Sequence, residues 1–72
     1  MREPEMQAVD SSTIEAVGYE SGKREIYIRF LDGGTYAYSD TDESICKELL
    51  SADSIGGYFN RVIKHNYSCR PL

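Results

Sequence analysis

Residues 25–38, EIYIRFLDGGTYAY, decide the fold of this chain, because they hold two candidate strands and the turn between them. Ile26, Ile28 and Phe30 alternate with polar or amphipathic side chains, which is the period of two expected for a strand with one face on a core. The Asp-Gly-Gly that follows is typical of a tight hairpin turn. The pattern therefore predicts an antiparallel hairpin whose second strand is TYAY.

The length of this turn determines what Tyr36 and Tyr38 do, since a one-residue slip in pairing exchanges the two faces of a strand. A two-residue turn places both tyrosines beside Arg29, on the face opposite the apolar side chains. Sheet-borne aromatics beside an arginine would then form a platform on which nucleic-acid bases stack. A three-residue loop ending on a left-handed Gly33 turns both tyrosines toward the apolar face instead. The need of a small domain for aromatic area favours core packing, and the platform stays open as the alternative.

The rest of the chain adds one strand upstream and two helices downstream. Alternation in residues 11–20 predicts the upstream strand, whereas residues 40–52 and 53–66 place their apolar side chains at helical spacing. We therefore predict an α+β fold, in which a three-stranded antiparallel β-meander precedes two short amphipathic helices packed on one sheet face. Residues 1–5 are expected to form a flexible N-terminal tail, and residues 6–72 one domain.

Composition narrows the classes of function. The chain has 72 residues, 40% of them hydrophobic and 28% charged, which indicates one small globular domain without room for a deep cleft. No set of nucleophile, base and orienting group can be identified, so we expect no enzyme, no catalytic residue and no cofactor. Cys46, His65 and Cys69 supply at most three ligands where a structural zinc takes four, so no metal site is expected. The charged N-terminus and the lack of a long apolar run predict a cytoplasmic protein without membrane contact.

Charge is distributed unevenly along the chain. The net charge is −4, yet all twelve acidic residues lie at or before Asp53, and three basic residues follow without an acid. These are Arg61, Lys64 and Arg70. Just before them, Ser54 is a candidate N-cap, with two glycines in the first helical turn that leave backbone N–H groups uncovered. The segment therefore has the features of an anion pocket, and close packing of the glycines against the sheet is the alternative.

Three segments together resemble the KTSC domain family, a short domain found at the C-terminus of some lysyl-tRNA synthetases and as free-standing small bacterial proteins. They are VDSSTIEAVGY, IYIRFLDGGTYAY and SIGGYFNRVIKHNY, and the resemblance runs from about residue 9 to residue 67. The markers are Ser11-Ser12, Tyr36-Ala37-Tyr38, Ser54 with the glycine after Ile55, and Tyr58-Phe59-Asn60. The family has no established biochemical activity, and the synthetase context implies an association with RNA. Thr41-Asp42 stands where similar proteins have Val-Pro, and the acid makes the nearby surface less favourable for phosphate.

The sequence thus predicts a small non-catalytic binding module that binds RNA or tRNA or associates with it. Its candidate surface comprises Arg29, Tyr36, Tyr38, Gly56, Gly57, Asn60, Arg61, Lys64 and Arg70. The alternative is a protein–protein interaction module or a homo-oligomeric accessory protein. The acidic net charge and the small core support this alternative.

Overall fold

The computed structural model describes residues 5–72, so the predicted tail lies outside the described residues except for Glu5. Five antiparallel strands form one sheet in the order β1-β2-β3-β4-β5. Two helical segments lie between the fourth and fifth strands. The elements are β1 (Gln7–Ala8), β2 (Ile14–Glu20), β3 (Glu25–Phe30), β4 (Thr35–Tyr38), α1 (Glu43–Ser51), α2 (Ile55–Tyr58), a π-helical turn (Phe59–Ile63) that continues α2, and β5 (Cys69–Pro71).

The α+β class with two helices is confirmed, but the prediction of a three-stranded meander is wrong, because the sheet has five strands. The two strands that were missed are both at sheet edges. Strand β1 has only two residues, and the chain returns after the helices to add β5 beside β4. Every residue of both strands is exposed, so neither carries the apolar alternation by which a strand is predicted.

Strand β5 tolerates a proline because of its position at the edge. The Leu72 N–H donates to the Thr35 carbonyl at 2.9 Å, and the Ser39 N–H donates to the Ser68 carbonyl at 2.8 Å. Backbone groups alternate in direction along a strand, so those of Pro71 point to the open side of the sheet. The missing N–H of proline therefore costs no ladder hydrogen bond, and it leaves this edge a poorer template for a further strand.

The turn between β3 and β4 has three residues, which settles the position of the two tyrosines. The Phe30 N–H donates to the Gly34 carbonyl at 2.8 Å, and the Gly33 N–H donates to the Phe30 carbonyl at 2.9 Å. Tyr36 consequently lies opposite Ile28, and Tyr38 opposite Ile26. Both tyrosines share the sheet face that the helices cover, as the three-residue alternative predicts.

Gly33 holds this register through its backbone conformation, with φ at +103°. We expect Gly33→Ala to lower the free energy of unfolding by about 1–3 kcal/mol, because side chains are strained in this region. Urea unfolding measures the change. Gly22→Ala is the matched control, since its added Cβ would meet only the flexible end of Glu20, 3.3 Å away. Equal losses in the two variants would contradict the assigned role of Gly33.

Strand β2 carries a bulge that changes which of its residues face the core. Ile14 pairs with Phe30 and Ala16 with Arg29, so two steps on β2 match one step on β3. Glu15 is the extra residue and is exposed. The side chains on the core side beyond the bulge are consequently odd-numbered, beginning with the buried Val17.

The core lies between this sheet face and the helices. Phe59, on the π-helical turn, is 3% exposed and meets Phe30 and Tyr38 edge to face, each with ring centroids 5.4 Å apart. Such T-shaped pairs stabilise a fold beyond the burial of their area. The core cluster consists of Ile14, Val17, Ile26, Ile28, Tyr38, Cys46, Leu49, Phe59 and Ile63.

At the entry to α1, Thr41 and Asp42 make polar contacts with the backbone. Thr41 is 1% exposed, and its hydroxyl donates to the Arg24 carbonyl at 3.0 Å, so the buried polar atom has an acceptor. Asp42 caps the helix by accepting the Ile45 N–H at 3.0 Å. Hydrogen bonds from the Ser44 hydroxyl and this N–H hold the pKa of the Asp42 carboxyl below its usual value. These hydrogen bonds satisfy the buried hydroxyl of Thr41 and cap the first turn of α1.

Candidate nucleic-acid interface

The nine residues of the predicted surface fall into three separate places. Two lie on the core face of β4, two on the sheet face away from the helices, and five on the second helical segment, residues 55–63, or next to it. Only the last group, Gly56, Gly57, Asn60, Arg61 and Lys64, lies together on one surface.

Tyr38 lies in the core, so the stacking-platform interpretation of the two tyrosines is wrong. Its side chain is 5% exposed and packs against Phe59, and this leaves no ring face for a base. Burial, and then the neighbouring Cys69, raise the pKa of Tyr38 to about 12. Tyr36 is half-buried, and its ring meets Phe30 at a centroid distance of 5.8 Å.

Arg29 and Arg70 lie on the opposite face of the sheet, where each is near an acid. Arg70 Nη2 donates to Glu25 Oε1 at 3.0 Å, and Glu25 is 7% exposed. Arg29 Nη1 lies 3.9 Å from Glu15 Oε2. These two arginines therefore do not extend the basic surface of the helical segment, and the ion pair of Arg70 ties the edge strand to β3.

Gly57 lets an arginine fold over the start of the second helical segment. A Cβ on Gly57 would lie 3.2 Å from Arg61 Nη1 and 3.0 Å from Ser54 Oγ, closer than ordinary contact. Ser54 Oγ also accepts the Gly57 N–H at 3.1 Å. The absence of a side chain thus brings a guanidinium and a hydroxyl close to the same stretch of backbone.

Two further hydroxyls, which sequence reasoning did not place in the site, lie beside Gly56. Its added Cβ would make ordinary contacts of 3.6 Å with both Ser11 Oγ and Thr13 Oγ1. Ser11 Oγ accepts the N–H groups of Thr13 and Ile14 at 3.1 and 3.2 Å, and so shapes the loop before β2. Ser11 was noted only as a family marker, because nothing local relates it to a helix so far along the chain. The four side chains that border Gly56 and Gly57 are Ser11, Thr13, Ser54 and Arg61, and we call them the hydroxyl–guanidinium cluster.

The exposed side of the second helical segment continues from this cluster. Asn60, Arg61 and Lys64 are all exposed. Across residues 5–72, neither Arg61 nor Lys64 forms an ion pair, unlike Arg29 and Arg70. Their charges are therefore available to a ligand, which distinguishes this surface from the other sheet face.

Tyr58 connects the cluster to α1. Its hydroxyl donates to Glu48 Oε1 at 2.8 Å. Burial, followed by the hydrogen bond to Glu48 and the negative charge of that carboxylate, raises the pKa of Tyr58 to about 12, and the charge of Arg61 opposes this shift. The hydroxyl of Tyr58 is thus within electrostatic reach of both an acid and a base.

Replacing Glu48 with glutamine is expected to lower the pKa of Tyr58 toward its ordinary value, since the charge that disfavours the phenolate is removed. The raised pKa means that folding favours the neutral phenol. This contribution to stability is present below pH 10 and is lost as the pH rises through about 12. NMR titration with ¹³Cζ-labelled tyrosine measures the shift, and Glu43→Gln is the control. An unchanged Tyr58 pKa in Glu48→Gln would contradict the contact.

The described part of the chain, residues 5–72, contains no group of three or more His, Cys, Asp or Glu residues that could hold a metal ion. Among the same residues, no helix has the length and apolar character needed to cross a membrane. Cys46 is buried, Cys69 is exposed, and both are free thiols.

Comparison with known proteins agrees with the resemblance found in the sequence. The sequence profile of the KTSC domain matches residues 10–67. A protein of Tsukamurella paurometabola is 37% identical over 62 residues, which cover 86% of this chain and 92% of that protein. An uncharacterised protein of Stutzerimonas stutzeri is 33% identical over 57 residues, covering 79% of this chain and 80% of the other.

The fold agrees with a solved structure as well. The crystal structure of a KTSC domain protein from Yersinia pestis has a TM-score of 0.91 and 37% identity, covering 94% of this chain and 96% of that one. The profile match, these relatives and the shared fold together show that the chain belongs to the KTSC domain family.

Proposed function

We propose that this domain is a non-catalytic module that binds single-stranded RNA on the second helical segment. The observation that carries the proposal is the position of Arg61, whose guanidinium lies over Gly57 beside the Ser54 hydroxyl without an acidic partner in residues 5–72. A guanidinium beside hydroxyl donors is the combination that proteins use to bind phosphate oxygens.

Lys64 supports contact with a second phosphate. It follows Arg61 by three residues on the same helical segment, and both side chains are exposed. Arg61 with the Ser54 hydroxyl would engage one phosphate group and Lys64 the next. Such contacts to the phosphate backbone position the strand and contribute little sequence specificity.

The net charge of −4 limits this binding to the local surface. A polyanion is repelled by the acidic remainder of the domain, so association depends on a small number of contacts and on ionic strength. Two phosphate contacts to a single strand predict a slope of about −1.4 for the logarithm of affinity against the logarithm of salt concentration.

Fluorescence anisotropy of a labelled single-stranded RNA tests the proposal. Between about 50 and about 200 mM salt, the slope predicts an increase in Kd of about sevenfold. Binding that does not respond to salt, or no binding at the lower concentration, would reject the proposed function. A domain that binds no RNA and sediments as a dimer would favour a protein-interaction module instead.

A further inference from the structure

One acidic side chain lies near the hydroxyl–guanidinium cluster, and phosphate binding alone does not account for the presence of an acid there. Glu48, on α1, uses Oε1 to accept the Tyr58 hydroxyl at 2.8 Å. Its other oxygen makes no hydrogen bond or ion pair with any residue in the range 5–72. The positive charge of Arg61 acts on the same Tyr58 hydroxyl, so the carboxylate and the guanidinium both lie within electrostatic reach of that group.

We infer that Glu48 accepts a hydrogen bond from a ribose 2′-hydroxyl of the bound strand, and that it thereby makes the domain prefer RNA to DNA. The inference rests on the proposed function, since it requires a nucleic acid to be held at Arg61. It adds the chemical feature of the strand that this surface recognises.

The chemistry of a carboxylate supports this role. An ionised carboxylate only accepts hydrogen bonds, so a ligand must supply a donor to match it. Near a phosphate it is repulsive, and a strand without a donor at this point is disfavoured. The 2′-hydroxyl is the donor that RNA has and DNA lacks.

Tyr58 supplies the positioning that such recognition needs. Its hydroxyl fixes one carboxylate oxygen and leaves the second available, while Arg61, in the proposed function, binds a phosphate of the same strand. A side chain held in this way loses less conformational entropy on binding than a free glutamate. Glu48 is thus a specificity-determining residue, and Tyr58 is a positioning residue.

The experiment compares single-stranded RNA and DNA of the same base sequence with four proteins. These are the natural domain, Glu48→Ala, Glu48→Gln and the control Glu43→Ala, which removes another exposed carboxylate of α1. The natural domain should bind RNA about three- to tenfold more tightly than DNA, the contribution of one hydrogen bond. Glu48→Ala should bring the ratio close to one while raising the affinity for DNA.

Glu48→Gln separates the acceptor from the charge. It keeps a neutral acceptor, so part of the RNA preference should remain while DNA affinity rises as in Glu48→Ala. A wholly structural role of Glu48 would change both affinities equally and leave their ratio unchanged in every variant. That unchanged ratio would overturn the inference.

The failure of this inference can be told apart from failure of the proposed function. Equal affinity of the natural domain for RNA and DNA overturns the 2′-hydroxyl role but leaves strand binding at Arg61 intact. Absence of binding to both strands rejects the proposed function and the inference together. A preference for RNA that Glu43→Ala abolishes as fully as Glu48→Ala would assign the effect to net charge and overturn the role of Glu48.

Discussion

Phe59→Ala is expected to lower the free energy of unfolding by about 3–5 kcal/mol, the range for removing a buried aromatic ring. The ring is 3% exposed and contacts the aromatic rings of β3 and β4 at centroid distances of 5.4 Å. A chain of this length has a total stability of about 4–11 kcal/mol, so the loss is a large fraction of the total and the urea midpoint should fall steeply. Urea denaturation followed by far-ultraviolet circular dichroism measures the loss.

Leu31→Ala is the control for this substitution, because Leu31 is also large and apolar but is 53% exposed. Its effect should remain within about 0.5 kcal/mol. A loss below about 1 kcal/mol for Phe59→Ala would mean that the π-helical turn does not pack on the sheet as described.

Reversing both charges of the helical surface, in Arg61→Glu/Lys64→Glu, is expected to lower RNA affinity by at least about 25-fold at 0.1 M salt. Each phosphate contact to a single strand changes the affinity by about 0.7 decades for each decade of salt concentration. At 0.1 M salt, one decade below about 1 M, the loss of two contacts therefore lowers the affinity by about 25-fold. The two new acids then add repulsion. Anisotropy titration at several salt concentrations measures both the affinity and the reduced slope.

The matched control compares Lys64→Glu with Lys47→Glu, since both change the net charge equally. Lys47 is an exposed residue of α1 and is turned by about 100° from Glu48 around that helix. Lys64→Glu should weaken binding several-fold more than Lys47→Glu. Equal losses would show that net charge, and not the second helical segment, controls the affinity.

The strands beside the turn could be predicted from sequence, but the register could not. Alternation around Ile28 identified β3, because one buried face imposes a period of two. A two-residue and a three-residue turn were both chemically allowed, and only the structure shows Gly33 at a φ of +103°. Strands β1 and β5 escaped prediction since they are exposed edge strands, stabilised by pairing with residues distant in sequence.

The candidate site was predictable only where its residues follow one another. Gly57, Arg61 and Lys64 could be grouped because they share one helical segment. Ser11 meets Gly56, and Glu48 meets Tyr58, through tertiary packing, which no local pattern encodes. For the same reason, the sequence could not show that Arg29 and Arg70 lie on a different surface, because this depends on which face of the sheet each side chain occupies.

The most direct test of the account is an amide NMR titration of the domain with a short single-stranded RNA at low salt. We predict chemical-shift changes in residues 11–13 and 54–64 that fade as the salt concentration rises, with Tyr36, Tyr38 and the face bearing Arg29 and Arg70 unaffected. Shifts on that opposite face, or none at saturating RNA, would contradict the claim that the second helical segment binds the strand.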